Sequence, residues 1–308
     1  ILAMASNPGY NPNDLMGDSA EDVWANLQEQ EGQPLVNHAG AETLPPGSIF
    51  KIITTAAGLN NGFNPSSTLT GSNVITLPDT VTELTNYANQ KCNGQDAVTL
   101  QTAFALSCNT AFVEMSEQLG ADELRKYAKA FGVGENYDLG VSTSAGTLGD
   151  LPDGAATAQS AIGQRDVTMT ALQAAVMAGT VANKGTRMQP YLVNRITDAQ
   201  MKDVRTTKPK KADQAVNEET AATLTDLMYA SERSSWGYDG NGFASKTGTA
   251  EHGEGLAPHV WYVAFDPERD IAVGVVVKNG GNLGESATGG KVSGPIGRAI
   301  LRAYQGEQ

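Results

Sequence analysis

The order of apolar and polar positions predicts a buried helix early in the chain. Residues 45–51 read Pro-Pro-Gly-Ser-Ile-Phe-Lys and run without a break into the apolar segment 52–59. Prolines and a glycine cannot continue a helix backwards, and serine is preferred at a helix start, so the pattern predicts a helix that begins near Ser48. Residues 52–55, Ile-Ile-Thr-Thr, are weak helix formers, and we therefore expect burial on most sides to hold this helix.

Helical periodicity dominates the middle of the chain. Residues 62–94 come first and are rich in Asn, Thr, Ser, Gly and Pro, which predicts an irregular insertion with one strand-like run at 74–77. The connection over residues 133–160 has the length and composition of a segment that lines a site. Apolar residues at helical spacing predict helices over residues 99–106, 109–119, 121–131 and 168–182.

Strand patterns dominate the end of the chain. Apolar runs predict strands over residues 188–196, 242–250, 259–265 and 271–278, of which the last two form a hairpin. Helices are predicted over residues 217–230 and 290–304. Residues 1–5 are interpreted as the interior of a buried strand, because they are apolar and lack a polar lead-in.

Together these patterns predict an α+β fold, in which an antiparallel sheet is flanked by helices and carries an inserted all-helical subdomain. We expect a single domain over residues 1–308, with an α/β subdomain of about residues 1–60 plus 183–308 and a helical subdomain of about residues 61–182. The strand-like start also leads us to expect that a longer protein has been trimmed. An N-terminal membrane anchor and a non-catalytic domain would then be absent from this chain.

Composition adds the class of partner. The chain is 40% hydrophobic over 308 residues, which is enough for a large core. Lys and Arg number 21 against 34 Asp and Glu, and the net charge of −13 argues against a nucleic-acid partner or an anionic membrane surface. No apolar run approaches the roughly 20 residues that cross a bilayer.

Two cysteines and three histidines offer no metal site. Cys92 and Cys108 lack Cys-x-x-Cys spacing, and His38, His252 and His259 lack ligand spacing. A Cys92–Cys108 disulfide is allowed if the protein is exported, and in the chain-entropy model it would be worth about 3 kcal/mol. The alternative is a pair of buried free thiols.

Ser48 and Lys51 are candidate reactive groups. Their spacing of three places both side chains on one face of the predicted helix. A serine hydroxyl needs a neighbouring base to become a nucleophile, and a lysine can be that base if burial or another cation lowers its pKa toward neutrality. Backbone N–H groups at the helix N-terminus could hold an oxyanion. The alternative is ordinary: Ser48 caps the helix and Lys51 is a solvated charge.

Two further short segments are ordinary when each is taken alone. Ser107 and Asn109 fall between two predicted helices, where such residues usually cap or turn the chain. Lys246, Thr247 and Gly248 lie in a predicted strand, where a glycine suggests close approach of a ligand and an edge lysine prevents aggregation. Ser-x-x-Lys, Ser-x-Asn and Lys-Thr-Gly each occur once in the chain, in this order. Their combination is far more specific than any one motif.

The three motifs resemble those of the penicillin-binding proteins and serine β-lactamases. Further blocks extend the resemblance to the transpeptidase domain of class B penicillin-binding proteins, most of all the actinobacterial penicillin-binding protein A type. These blocks are Leu44-Pro45-Pro46-Gly47-Ser48-Ile49-Phe50-Lys51, Ser107-Cys108-Asn109-Thr110-Ala111-Phe112, Ala161-Ile162-Gly163-Gln164 and Ala287-Thr288-Gly289-Gly290. Both cysteine positions fit the same type, and the resemblance covers essentially the whole chain.

The resemblance implies acyl transfer on the D-alanyl-D-alanine end of a peptidoglycan stem peptide. Ser48 would attack the carbonyl carbon, and Lys51 would take the proton of its hydroxyl. Ser107 would relay a proton to the departing D-alanine, while Asn109 would orient Lys51 and the substrate amide. A second cation at Lys246 would favour neutral Lys51 and attract the terminal carboxylate of the substrate.

The resemblance also implies which groups bind the substrate. Thr247, Gly248 and Thr249 would line its binding site, and the two threonines would bind its carboxylate. The backbone N–H groups of Ser48 and Thr249 would form the oxyanion hole. No metal or organic cofactor is required. β-Lactams would acylate the same serine and inhibit the enzyme.

Three alternatives share this site. A serine β-lactamase usually activates water with a carboxylate, and Asp138, Asp150, Asp153 and Asp166 match no such motif, which disfavours this reading. A D,D-carboxypeptidase differs in its acceptor, which pocket shape decides and the three motifs do not. A non-enzymatic sensor domain would bind β-lactam through the same serine and signal through a membrane segment.

The resemblance implies a location on the extracytoplasmic face of the bacterial cell membrane. The expected partners are the peptidoglycan stem peptide, β-lactam antibiotics and the cell-wall synthesis machinery, the last of these through the missing N-terminal part. A role in division or in elongation stays open.

Overall fold

The computed structural model of the chain describes residues 1–253 and 255–306. Its α-helices are α1 (Ala20–Glu29), α2 (His38–Ala41), α3 (Lys51–Leu59), α4 (Leu100–Ala105), α5 (Asn109–Ala130), α6 (Gly154–Ala161), α7 (Ala171–Ala182), α8 (Glu218–Ser234) and α9 (Ser293–Gly306). Its strands are β1 (Thr68–Thr70), β2 (Val74–Thr76), β3 (Glu83–Thr85), β4 (Ala97–Thr99), β5 (Thr186–Met188), β6 (Arg195–Thr197), β7 (Asp203–Thr206), β8 (Lys211–Gln214), β9 (Ala244–Ala250), β10 (His259–Asp266) and β11 (Ile271–Val277). The short 3₁₀ segments are Pro12–Leu15, Gly47–Phe50, Tyr87–Asn89, Cys92–Gly94 and Lys278–Ser286.

An antiparallel sheet of order β11-β10-β9 forms the structural centre of the C-terminal part. Every residue of β10 is buried, because helices cover both faces of this strand. Trp261 and Val263 face the main core, whereas Tyr262 and Ala264 pack in a second cluster with Leu301 of α9. Burial on both faces explains why β10 reads as one continuous apolar run.

The buried helix predicted after Ser48 is confirmed as α3. All of its residues from Lys51 to Gly58 are buried, and the helix packs against α5 and α8. Its β-branched residues therefore find partners on every side, which offsets their low helix propensity.

The insertion before α4 contains more strand than the sequence indicates. β1 pairs with β4, and β2 pairs with β3, so the segment predicted to be all-helical also carries two small antiparallel sheets. Beyond it, the two helices predicted over residues 109–131 are one element, α5, interrupted at Gly120 by a backbone φ of 75°.

Three local predictions are wrong. Residues 1–5 form no strand; instead Ile1 and Met4 pack against a cluster that includes Leu172 of α7. The predicted strand over residues 188–196 is divided into β5 and β6, and Pro190, which lacks an N–H, lies in the break. The connection over residues 133–160 contains the start of α6, whose N-cap Asp153 accepts a hydrogen bond from Ala156 N at 2.7 Å. Within the described residues, no helix is long and apolar enough to cross a membrane.

Candidate active site

Ser48 lies in a tight turn and does not cap a helix. The 3₁₀ segment Gly47–Phe50 runs directly into α3, which begins at Lys51 with Phe50 in the N-cap position. The predicted helix start at Ser48 is therefore wrong by one turn, because Gly47, with a φ of 52°, allows a tighter bend there. Ser48 is half-buried, whereas its neighbours in the turn are buried.

The main chain around Ser48 is held from two sides. Gly47 N donates to Gly163 O at 2.9 Å, and the Trp261 indole N–H donates to Pro45 O at 2.8 Å. A side chain at Gly163 would collide with the carbonyl of Gly47, and Gly163 itself has a φ of 74°. Close backbone approach thus requires glycine at this point and keeps the turn in place.

Lys51 reaches from α3 to the turn that precedes α5. It is fully buried, at 0% exposure. Its Nζ donates to Ser107 O and to Asn109 Oδ1, each at 2.8 Å, and lies 3.4 Å from Ser107 Oγ. The Phe112 ring centroid is 5.2 Å from the same nitrogen.

Lys246 reaches the same turn from β9. Lys246 is also at 0% exposure, and its Nζ donates to Ser107 Oγ at 2.9 Å and to Thr247 O at 3.1 Å. Its nitrogen lies 5.7 Å from the centroid of the Phe104 ring. The two amines therefore converge on one hydroxyl, that of Ser107.

Burial lowers the pKa of both lysines. Burial and then the charge of Lys246 hold the pKa of Lys51 well below its ordinary value. Burial lowers the pKa of Lys246 to about 7. The charge of Lys246 beside it therefore favours the neutral form of Lys51. Its two short hydrogen bonds fit a neutral amine, which has two N–H groups for them and a lone pair left for a hydroxyl proton.

The turn that carries Ser107 has an unusual backbone and several anchors. Ser107 has a φ of 61°, in the left-handed region that few non-glycine residues adopt. The next residue, Cys108, forms a disulfide with Cys92 across a sequence separation of 16. Asn109 Nδ2 donates to Thr85 O at 3.1 Å, which leaves Oδ1 of the same amide facing Lys51.

The predicted substrate-binding residues lie along the accessible edge of β9. Thr247 and Thr249 are half-buried in a strand whose other residues are buried. A Cβ built on Gly47 would lie 2.8 Å from Thr249 O, so the main chain of Thr249 runs beside that of Ser48. The close packing of Gly248 on Pro46 O, 2.6 Å from an added Cβ, explains the glycine of this motif.

On the face opposite to Lys246, β9 borders a second buried polar cluster, which the sequence did not reveal. Glu232 Oε1 accepts from Arg298 Nε at 2.6 Å and from Asn241 Nδ2 at 2.9 Å. Glu232 Oε2 accepts from Tyr262 OH at 3.1 Å and from Ser245 Oγ. Glu232 and Arg298 form an ion pair whose side chains are 1% and 3% exposed, respectively. We call these five residues the Glu232 cluster.

The aromatic rings beneath the lysines were also missed. Phe104 and Phe112 have ring centroids 6.5 Å apart, and each lies under one of the two amines. In the sequence both residues look like ordinary core positions of a helix. Among the carboxylates weighed earlier, Asp153 caps α6 and Asp166 pairs with Arg165 at 3.4 Å.

Comparison with known proteins identifies the family of the chain. The family described as penicillin binding protein transpeptidase domain matches residues 1–302. The chain is 44% identical to the peptidoglycan D,D-transpeptidase PbpA of Mycolicibacterium smegmatis, over 98% of this chain and 64% of that protein. It is 42% identical to PbpA of Mycobacterium tuberculosis, over 100% of this chain and 65% of that protein. The chain thus spans slightly less than two thirds of the length of these relatives.

Solved structures of penicillin-binding protein A share the fold of this chain. The ceftriaxone acyl-enzyme complex of penicillin-binding protein A from M. tuberculosis superposes with a TM-score of 0.94 at 41% identity, covering 98% of this chain and 70% of that one. The penicillin G acyl-enzyme complex of the same protein gives a TM-score of 0.93 at 41% identity, covering 99% and 71%. Both structures share the fold across nearly the full length of the present chain.

Proposed function

The chain belongs to the penicillin-binding protein transpeptidase family, and from this premise we propose that it is a peptidoglycan D,D-transpeptidase. It would join stem peptides through an acyl-enzyme on Ser48, and β-lactams would acylate the same serine. One observation carries the proposal: Lys51, Ser107, Asn109 and Lys246 form a continuous hydrogen-bonded array beside the accessible Ser48 turn. The names of the mycobacterial relatives support the reaction class.

The first half of the proposed reaction uses neutral Lys51, a form that burial favours. As Ser48 Oγ bonds to the carbonyl carbon of the penultimate D-alanine, its proton passes to the lone pair on Lys51 Nζ. Negative charge then grows on the carbonyl oxygen. The backbone N–H groups of Ser48 and Thr249, which lie on adjacent stretches of main chain, would receive it.

Departure of the terminal D-alanine needs a proton at its nitrogen. Ser107 can supply this proton as the carbon–nitrogen bond breaks, and can take a replacement from protonated Lys51 across the 3.4 Å contact. The proton that left Ser48 thereby ends on the amine product, and Lys51 returns to its neutral state. In the second half, the amine of another stem attacks the ester, neutral Lys51 removes its proton, and Ser48 regains a hydrogen as the ester bond breaks.

Lys246 and the two threonines provide the binding end of the site. The terminal carboxylate of the substrate would lie against protonated Lys246 and the hydroxyls of Thr247 and Thr249. The carboxylate raises the pKa of the lysine as it binds, so the bound complex keeps this charge at higher pH than the free enzyme does. β-Lactams carry a carboxylate at the corresponding distance from their reactive carbonyl and would bind the same groups.

Labelling with fluorescent penicillin tests the nucleophile. The parent should form a covalent adduct, and peptide mapping should place the adduct on Ser48. Ser48→Ala should remain unlabelled, while Ser66→Ala, an exposed serine of the insertion, should label like the parent. Labelling of the Ser48→Ala variant would remove this serine from the mechanism.

Product analysis tests the acceptor. A thioester or depsipeptide surrogate incubated with a D-amino acid acceptor should yield the aminolysis product in addition to the hydrolysis product. Hydrolysis alone would identify a D,D-carboxypeptidase, and stable penicillin acylation without turnover of any surrogate would identify a sensor. We further propose that the domain works on the extracytoplasmic face of the membrane with the cell-wall synthesis machinery, because the peptidoglycan that it would cross-link lies there.

A further inference from the structure

The helix that carries Asn109 lacks a cap of its own. In α5, Cys108 occupies the N-cap position, and its side chain makes no capping hydrogen bond. Its sulfur is bonded instead to Cys92. The first backbone N–H groups of a helix have no partner within the helix, so another group must satisfy those that are buried.

Asn86, 22 residues before Cys108 in the sequence, supplies that cap from outside the helix. Its Oδ1 accepts from Thr110 N at 3.1 Å, and its Nδ2 donates to Ser72 O at 2.9 Å. The hydroxyl of Thr110 donates to the same Ser72 carbonyl at 2.9 Å. Asn86 is 6% exposed and Thr110 0%, so water cannot replace these bonds.

The same residue also fixes the orientation of Asn109. Asn86 follows directly after Thr85, whose carbonyl accepts from Asn109 Nδ2 at 3.1 Å. The backbone N–H of Asn86 donates to Asn73 O at 3.0 Å, which ties the end of β3 to the start of β2. A change at Asn86 would therefore move the Thr85 carbonyl, and with it the amide whose Oδ1 binds Lys51.

We propose that Asn86 is a positioning residue of the active site, which caps α5 and thereby sets Ser107 and Asn109 against Lys51. The inference rests on the proposed function and extends it to a residue outside the three motifs. Because Asn86 acts on the proton-transfer groups, its loss should slow acylation. Initial binding depends chiefly on Lys246 and the two threonines of β9, and should change little.

Penicillin acylation kinetics separate the two effects. Saturation kinetics with a fluorescent penicillin give the dissociation constant of the first complex and the rate constant of acylation. Asn86→Ala removes the cap and should lower the acylation rate constant by roughly 10²-fold, the loss typical of a misplacement of about 1 Å. The dissociation constant should stay within about threefold of the parent value.

Three further variants distinguish a positioning role from a general loss of folding. Asn86→Asp keeps an acceptor for Thr110 N and should recover most of the acylation rate, whereas Asn86→Gln moves the same amide outward by one methylene and should not. Asn73→Ala removes only a side-chain bond to Asn89 in the same insertion, at 3.0 Å, and should acylate like the parent. Thermal melting of each variant reports the folded fraction.

The outcomes are distinct. Asn86→Ala acylating at the parent rate, or losing affinity at an unchanged acylation rate, would overturn the inference. If Asn86→Ala does not fold, the Asp and Gln variants decide, and equal acylation rates in these two would overturn it. A parent protein that is not labelled at all would instead contradict the proposed function, whatever Asn86 does.

Discussion

Buried basic side chains lie on both faces of β9, but in the part of the chain that the structure describes only those on one face lack a carboxylate partner. On one face, Lys246 and Lys51 are fully buried. Within the described residues, neither has a carboxylate within 4.0 Å. On the other face, the guanidinium of Arg298 is just as buried but bonds to Glu232 at 2.6 Å.

The difference shows what turns a buried cation into a base. The guanidinium of Arg298 cannot lose its charge, and the carboxylate in contact compensates for its loss of water, so the Glu232 cluster holds an ion pair. Without that carboxylate, burial favours the neutral amine and lowers the pKa of both lysines. The reactivity proposed for the two lysines therefore depends on the absence of a carboxylate. A carboxylate is the partner that stabilises Arg298 on the other face of β9.

The largest effect should come from removing the base. Lys51→Arg keeps a positive charge but cannot supply a neutral nitrogen, so acylation by penicillin should fall by roughly 10³-fold. Lys126→Arg, at an exposed lysine paired with Glu123 at 2.9 Å, is the matched control and should acylate normally. Equal acylation rates for the parent and Lys51→Arg would show that Lys51 is not the base.

The next effect concerns stability on the other face. Glu232→Gln leaves the charge of Arg298 buried without its partner and should lower the free energy of unfolding by about 3–5 kcal/mol. Glu218→Gln, in the same helix, breaks only an exposed pair with Lys184 at 2.7 Å and should cost less than about 1 kcal/mol. Urea denaturation of both variants measures the difference. A similar loss of unfolding free energy in both variants would show that breaking the buried pair of Glu232 and Arg298 costs no more than breaking an exposed pair.

A smaller effect should appear in the pH profile of acylation. In the proposed mechanism, acylation needs neutral Lys51 and protonated Lys246. Its second-order rate constant should thus rise as Lys51 loses its proton and fall again as Lys246 loses its own near pH 7, since the latter pKa is about 7. Lys246→Arg cannot lose its charge, so the fall at high pH should disappear. A fall that persists in this variant must belong to another group.

The smallest effect should distinguish a charged from a neutral amine. Phe104 lies under Lys246, and its ring stabilises the protonated form by about 0.5–1 kcal/mol. Phe104→Leu should therefore shift the high-pH fall downward by about 0.5 pH unit. Phe112→Leu, under neutral Lys51, should leave the high-pH fall in place. Equal shifts in both variants would contradict the assignment of charge.

Local signals allowed much of the fold and of the proposed site to be predicted. The apolar runs of α3 and β10 stand out because each is buried along nearly its whole length, and the three motifs stand out because each combines chemically distinct residues at fixed spacing. The predicted cap at Ser48 failed because the sequence does not show that Gly163 will hold the preceding glycine in a left-handed turn.

Contacts between distant segments account for what was missed. The bond between Glu232 and Arg298 joins residues 66 apart, and that between Asn86 and Thr110 joins residues 24 apart. In the sequence, an asparagine in a polar insertion looks like any turn residue. Only the folded chain brings it to the N-terminus of α5, where an N–H group lacks a partner.

If β-lactams acylate Ser48 as proposed, the glycine contacts beside this residue limit which variants could resist them. Any codon change at Gly47, Gly163 or Gly248 adds at least a Cβ, and at each position that atom would collide with main chain. Substitutions of these glycines would therefore distort the turn that holds Ser48, the proposed nucleophile, even if they also excluded a drug. We expect tolerated variation at the rim, where the side chains of Thr247 and Thr249 are half-exposed.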